Sequence, residues 1–135
     1  HELAHILSYL YMGRPDSSFI REGFAEFTEE YWVNMINGEY VLKTHYEWAK
    51  LYFSSNKNFD IKDVLFDSER FHQEVDKDGC FYTYPLSGAF TRFLIEKYGQ
   101  DTYLDFYRNA SEENLTLLYG NYDLILAEFE NYIVK

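Results

Sequence analysis

Cysteine, proline and long apolar runs are all scarce in this sequence of 135 residues, which has one cysteine and two prolines. The single Cys80 can form neither an internal disulfide nor a metal site with several thiolates. Cysteine content therefore favours neither a reducing nor an oxidising compartment. No apolar run approaches the ~20 residues that a membrane-spanning helix needs. The few prolines and glycines fall mostly between apolar periodic segments, a pattern that favours helices over strands.

Basic residues are scarce as well, since 12 Lys and Arg stand against 23 Asp and Glu, for a formal net charge of −11. Phosphate binding depends on concentrated positive charge, and the chain has no cluster of Lys and Arg. We therefore expect neither nucleic acid nor an anionic membrane as a partner. Aromatic residues are abundant at 21%, and the length suits one domain with a packed core, residues 1–135.

Apolar residues recur at spacings of three and four, which predicts a mainly α fold. The charged run that ends in Asp76–Gly79 is predicted to be a solvated loop. The predicted helices cover residues 1–12, 19–36, 40–54, 61–66 and 83–98, with further helices near 101–109, 112–119 and 122–134.

The first five residues carry the pattern H-E-x-x-H, formed by His1, Glu2 and His5. On a helix the two histidines lie one turn apart on the same face, so both imidazoles can reach one metal ion. Glu2 between them can touch an activated water without binding the metal itself. Two histidines leave a tetrahedral zinc in need of a third protein ligand.

Two schemes can supply the third ligand. The metzincin scheme requires glycine three residues after His5 and a histidine three residues later, but those positions hold Ser8 and Tyr11, so this scheme fails. The alternative is a glutamate on a second helix packed antiparallel to the first, and Glu22 in R-E-G-F-A-E-F has that position. Gly23 is expected to leave room for the close approach of the metal-binding helix.

H-E-x-x-H followed by E-G-F-A resembles the gluzincin metallopeptidases, which include thermolysin-like and aminopeptidase-N-like enzymes. The resemblance implies that His1, His5 and Glu22 bind one Zn²⁺ per chain and that Glu2 is the general base. It also implies that Glu26, one turn after Glu22, accepts a hydrogen bond from a ligand histidine. The alternative for Glu26 is a solvated carboxylate on an acidic helix face.

The segment from residue 82 to 99 is similar to the tyrosine-headed helix that closes the active site in aminopeptidase-like gluzincins. The similarity implies that Tyr84 donates a hydrogen bond to the oxyanion of the tetrahedral intermediate, with Tyr82 as the second choice. The sequence departs from the aminopeptidases at Ser87, where they usually have glycine.

Three further residues have structural interpretations. His45 and His72 lack ligand spacing to another candidate, so both are predicted to be structural or solvent-facing, with His72 in the acidic loop. Cys80 is predicted to be a small buried hydrophobic residue because no general base stands near it in the sequence.

The resemblance implies a function, namely zinc-dependent hydrolysis of a peptide bond in a peptide or protein substrate. It implies that the chain is the helical half of a zincin-like catalytic domain. Family members place a small sheet before the metal helix, so this upstream sheet is expected to lie outside the chain. Endopeptidase and aminopeptidase activity both stay open.

Two rival interpretations remain. One is a catalytically inactive or metal-binding helical interaction module of the same fold. Such a binder would not need Glu2, so the presence of Glu2 favours activity. The other is a purely structural helical domain in which the H-E-x-x-H pattern is accidental.

Overall fold

The computed structural model describes residues 1–37, 44–55, 59–78 and 82–135. These residues form helices and no strand, which confirms the mainly α prediction. The predicted first turn of the helix at 40–54 and the predicted burial of Cys80 lie outside the described residues. The helices are α1 (Glu2–Met12), α2 (Ser18–Asn37), α3 (His45–Ser54), α4 (Ile61–Val64), α5 (Ser68–Asp78), α6 (Thr83–Tyr98), α7 (Gln100–Arg108), α8 (Glu112–Tyr119) and α9 (Tyr122–Val134).

Most predicted helices are confirmed to within two residues at either end. Several of their starts, those of α3, α4, α8 and α9, have side-chain caps that satisfy free N–H groups of the first turn. Thr44 and Glu47 form a capping box at α3, because the Thr44 hydroxyl accepts from Glu47 N at 3.3 Å and Thr44 N donates to Glu47 Oε2 at 2.6 Å. Asn121 caps α9 with a single hydrogen bond, which its side chain accepts from Leu124 N at 3.2 Å.

The predicted solvated loop is wrong, because its charged residues belong to α5. Asp67 caps this helix by accepting a hydrogen bond from Arg70 N at 3.0 Å. The inner face of α5 buries Phe71, Glu74 and Val75, which lie three and four residues apart. The segment is strongly polar overall, and this polarity masks a clear amphipathic period in which Phe71 and Val75 lie on one face.

The core lies around α6, against which α2 and α3 pack closely. Gly23 on α2 is the point of closest approach, since a Cβ there would lie 2.6 Å from both Ser87 O and Thr91 Oγ1. The expectation that Gly23 makes room for the metal-binding helix is therefore wrong, because the backbone next to it belongs to α6. The large side chains that are fully buried are mostly aromatic: Phe19, Phe71, Phe90, Phe93, Tyr103, Phe106, Tyr107 and Phe129.

Helix α1 packs against α2 and α7 with one of its faces. Ala4 and Ser8 form that inner face. The outer face exposes large apolar side chains, Leu3, Ile6, Leu10 and Tyr11. Within the described ranges, none of the helices has the length and apolar character to cross a bilayer.

Candidate metal centre

Three side chains predicted to bind metal converge on one point between α1 and α2. His1 Nε2 and His5 Nε2 each lie 3.0 Å from the same oxygen, Glu22 Oε2. The two imidazole rings are 4.9 Å apart and nearly perpendicular, with 80° between their planes. The structure therefore brings together the two histidines of H-E-x-x-H and the glutamate of E-G-F-A.

The short connection between α1 and α2 sets this meeting point. Gly13 ends α1 at φ +86°, a left-handed conformation that glycine adopts without strain. Ser17 then accepts a hydrogen bond from Ile20 N at 3.1 Å and donates to Leu65 O at 2.5 Å. Arg21 donates to Pro15 O at 2.8 Å, which ties the turn to the first turn of α2.

The two helices run antiparallel, because residues early in α1 face residues later in α2. His5 faces Glu22, whereas His1 also reaches Glu26 and Glu29 further along α2. This register places both imidazoles over the first turns of α2. Sequence reasoning could predict it since a short turn makes consecutive helices neighbours.

Carboxylates surround His1 on both ring nitrogens. Its Nδ1 lies 3.3 Å from Glu26 Oε1 and 3.3 Å from Glu29 Oε2, while Nε2 faces Glu22. Hydrogen bonds with Glu22 and Glu26 outweigh burial and raise the pKa of His1 to about 10. The site thus attracts positive charge at this position.

The carboxylate of Glu22 stays ionised at neutral pH. Its partial burial raises the pKa, but the hydrogen bonds and charges of His1 and His5 outweigh burial, so the net pKa lies below its ordinary value. An ionised carboxylate is the form that binds a metal ion.

Tyr9 holds the other nitrogen of His5 and was missed by the sequence analysis. Its hydroxyl lies 3.2 Å from His5 Nδ1, one helical turn further along α1. A partner on Nδ1 fixes the ring and leaves Nε2 directed at Glu22. The spacing of four residues between His5 and Tyr9 is the signal that could have found it.

Glu26 lies between two histidines. Its Oε1 faces His1 Nδ1 at 3.3 Å, and its Oε2 lies 2.9 Å from His45 Nε2. Burial raises the pKa of Glu26, but the hydrogen bonds with His1 and His45 outweigh it and lower the pKa to about 2. Glu26 therefore joins His1 to His45 and is not a solvated carboxylate.

The two remaining histidines have different surroundings. His45 is buried at the start of α3 and contacts the Glu26 and Glu30 carboxylates. His72 lies on α5, not in a loop, with its Nε2 3.1 Å from Ser18 Oγ. It also lines the cleft at the candidate metal centre.

An open cleft of about 580 Å³ surrounds the candidate metal centre and includes Glu2 and Tyr84. The Tyr84 ring lies parallel to His1, with centroids 6.0 Å apart and 3° between the planes. The Tyr84 ring is also nearly parallel to Phe71, with centroids 5.9 Å apart. Tyr82 packs edge-on against Trp48 at 5.3 Å instead, so Tyr84 is the tyrosine of this pair that lines the cleft.

The donor set suits a zinc ion. Two imidazole nitrogens and one carboxylate oxygen leave the fourth tetrahedral position open, as in catalytic zinc sites. Zinc bonds of about 2.0–2.1 Å place neighbouring ligand atoms roughly 3.3 Å apart, close to the 3.0 Å between each histidine nitrogen and Glu22 Oε2.

No protein-family model, curated protein or solved structure matches this chain.

Proposed function

We propose that the chain is a zinc-dependent peptidase of the gluzincin type, the helical half of a zincin-like catalytic domain. One observation carries the proposal: His1 Nε2 and His5 Nε2 both lie 3.0 Å from Glu22 Oε2, in a cleft that Glu2 and Tyr84 also line. The substrate is a peptide or protein, and the cofactor is one Zn²⁺ per chain.

Zinc at this position would supply a Lewis acid that polarises the scissile carbonyl and lowers the pKa of water from 15.7 to roughly 7. Glu2 would remove the proton of the attacking water and then pass it to the leaving amine. Its place between the two ligand histidines, on the cleft side of α1, suits that task. In this location Glu2 lines the cleft and is not itself one of the proposed metal ligands.

Tyr84 would donate its hydroxyl proton in a hydrogen bond to the oxyanion. The ring lies parallel to both His1 and Phe71, and these contacts restrict its orientation in the cleft. A donor fixed before the reaction costs no reorganisation when charge develops.

The first experiment is zinc stoichiometry by elemental analysis of the wild type, Glu22→Gln and Glu113→Gln. Glu113 is exposed on α8, far from the cleft, so its variant is the matched control. We expect one zinc per chain in the wild type and the control, and a large loss in Glu22→Gln. Equal zinc contents in all three proteins, or none in the wild type, would contradict the proposed site.

The second experiment tests hydrolysis with a mixed library of peptides. We expect Glu2→Gln to keep its zinc and to lose activity by ~10²–10⁴-fold, the usual contribution of a general base. Equal activity of Glu2→Gln and the wild type would refute the mechanism.

A metal-binding interaction module of the same fold is the second candidate function. The exposed apolar side chains on the outer face of α1, Leu3, Ile6, Leu10 and Tyr11, favour it, because contiguous apolar patches mark interaction surfaces. Zinc binding without hydrolysis of any peptide in the library would favour the module over the peptidase.

A further inference from the structure

A network of charged side chains, Glu26, His45, Glu30 and Arg92, leads from the candidate metal centre into the protein. It begins at Glu26, whose two oxygens face His1 and His45. The other ring nitrogen of His45 lies against the Glu30 carboxylate, and the backbone N of His45 donates to Glu30 Oε2 at 3.1 Å. His45 is therefore held between carboxylates one turn apart on α2.

His45 and Arg92 both face the buried Glu30 carboxylate, and His45 also faces Glu26. His45 is 6% exposed and Glu30 is 3% exposed, so the Glu30 carboxylate has little water to solvate it. Two neighbouring carboxylates need a cation between them when water is excluded. Burial lowers the pKa of His45, but the hydrogen bonds with Glu26 and Glu30 outweigh it and raise the pKa to about 9.

Arg92 on α6 is the last member of this network and pairs with Glu30. Its Nη1 donates to Glu30 Oε1 at 3.2 Å, and its Nε donates to Glu96 Oε1 at 2.7 Å. Glu96 in turn accepts hydrogen bonds from the hydroxyls of Tyr46 and Tyr132. Glu30 is thus fixed from two sides.

The backbone of α6 closes the space around His45. A Cβ on Gly88 would lie 2.7 Å from His45 Nδ1 and 2.8 Å from Glu26 Cβ. The imidazole is therefore confined by shape as well as by charge. A side chain at position 88 would occupy the space that the imidazole now fills.

We propose that His45 is a positioning residue of the metal centre: with Glu30, it holds the Glu26 carboxylate against Nδ1 of His1 and so fixes the ring of that ligand. This inference rests on the proposed function. A ligand histidine whose second nitrogen is held loses less freedom when metal binds, and loss of such a partner typically weakens metal affinity roughly 10–100-fold.

The test compares His45→Gln and Glu30→Gln with Glu74→Gln. Glu74 is a matched control, because it is also a buried glutamate, 2% exposed, and pairs with Arg70 at 3.0 Å away from the cleft. Zinc affinity is measured by competition with a chelator, and the visible absorption of the Co²⁺-loaded proteins reports ligand geometry. Circular dichroism checks that each variant is folded.

We expect zinc affinity to fall in His45→Gln and Glu30→Gln, by at most the roughly 10–100-fold that loss of a ligand's own hydrogen-bond partner costs, with an altered cobalt spectrum, and to stay unchanged in Glu74→Gln. Unchanged affinity and spectrum in His45→Gln and Glu30→Gln would overturn the inference while the zinc site stands. If His45→Gln does not fold, Glu30→Gln, which keeps the shape of the side chain, decides between these results.

A metal-free measurement separates this inference from the proposed function. Nitrogen NMR of the chelator-treated proteins follows the His1 ring directly. A changed His1 signal in the network variants but not in Glu74→Gln would support the positioning even if the wild type bound no zinc. If the wild type bound no zinc and the His1 signal were the same in His45→Gln, Glu30→Gln and the wild type, both the proposed function and this inference would be overturned.

Discussion

Tyr107 donates its hydroxyl hydrogen to Ser8 Oγ at 3.0 Å, joining α7 to the inner face of α1 across 99 residues of sequence. Ser8 Oγ donates in turn to His5 O at 3.0 Å, one turn back towards the metal centre. The pair is buried, so it sets the position of α1 without competition from water.

Tyr107→Phe removes the donor to Ser8 and keeps the ring. We expect the free energy of unfolding to fall by about 0.5–1.5 kcal/mol, the net value of one buried hydrogen bond. Urea denaturation measures it, with Tyr11→Phe on the exposed face of α1 as the control. Equal losses in the two variants would show that the hydrogen bond contributes nothing specific.

Tyr84→Phe tests the oxyanion donor. We expect kcat to fall ~10²–10³-fold with zinc content unchanged, because the hydroxyl acts only as charge develops. Tyr82→Phe is the control and should keep its activity, since that ring packs against Trp48. The reverse result would assign the donor to Tyr82.

His45 makes stability depend on pH. Its pKa rises on folding from 6.5 to about 9 because the hydrogen bonds with Glu26 and Glu30 outweigh burial, so its stabilisation is fully present below pH 6.5 and is lost as pH rises through 9. The stability difference between the metal-free wild type and His45→Gln should therefore shrink as pH increases. Chemical denaturation across this range measures it, and a difference that grows with pH would contradict the assignment.

Zinc binding should release protons at neutral pH. The pKa of His1 is raised to about 10 without metal, so the ring is protonated at pH 7 and must lose a proton before it binds zinc. We expect about one proton per zinc from His1. Calorimetry in buffers with different heats of ionisation counts the protons, and a value near zero would mean that His1 stays protonated and does not bind.

The sequence predicts the parts of the site that are close in the chain. His1, His5 and Glu22 come from two consecutive helices joined by a short turn, so helical spacing is enough to bring them together. The partners His45 and Arg92 depend on how α3 and α6 pack onto α2, and their spacing from Glu30 has no local period. The helix α5 differs, because its amphipathic period is present in the local sequence and could have been predicted despite the many charged residues.

The turn that begins at Gly13 also has a consequence for the order of folding. All three proposed ligands lie within residues 1–22, so only a short loop must close to bring them together, and the entropic cost of that closure is small. Because short loops close at low entropic cost, we expect this helical hairpin to form before the contacts between distant parts of the chain. The proposed ligands would then come together before α3 and α6 pack against them.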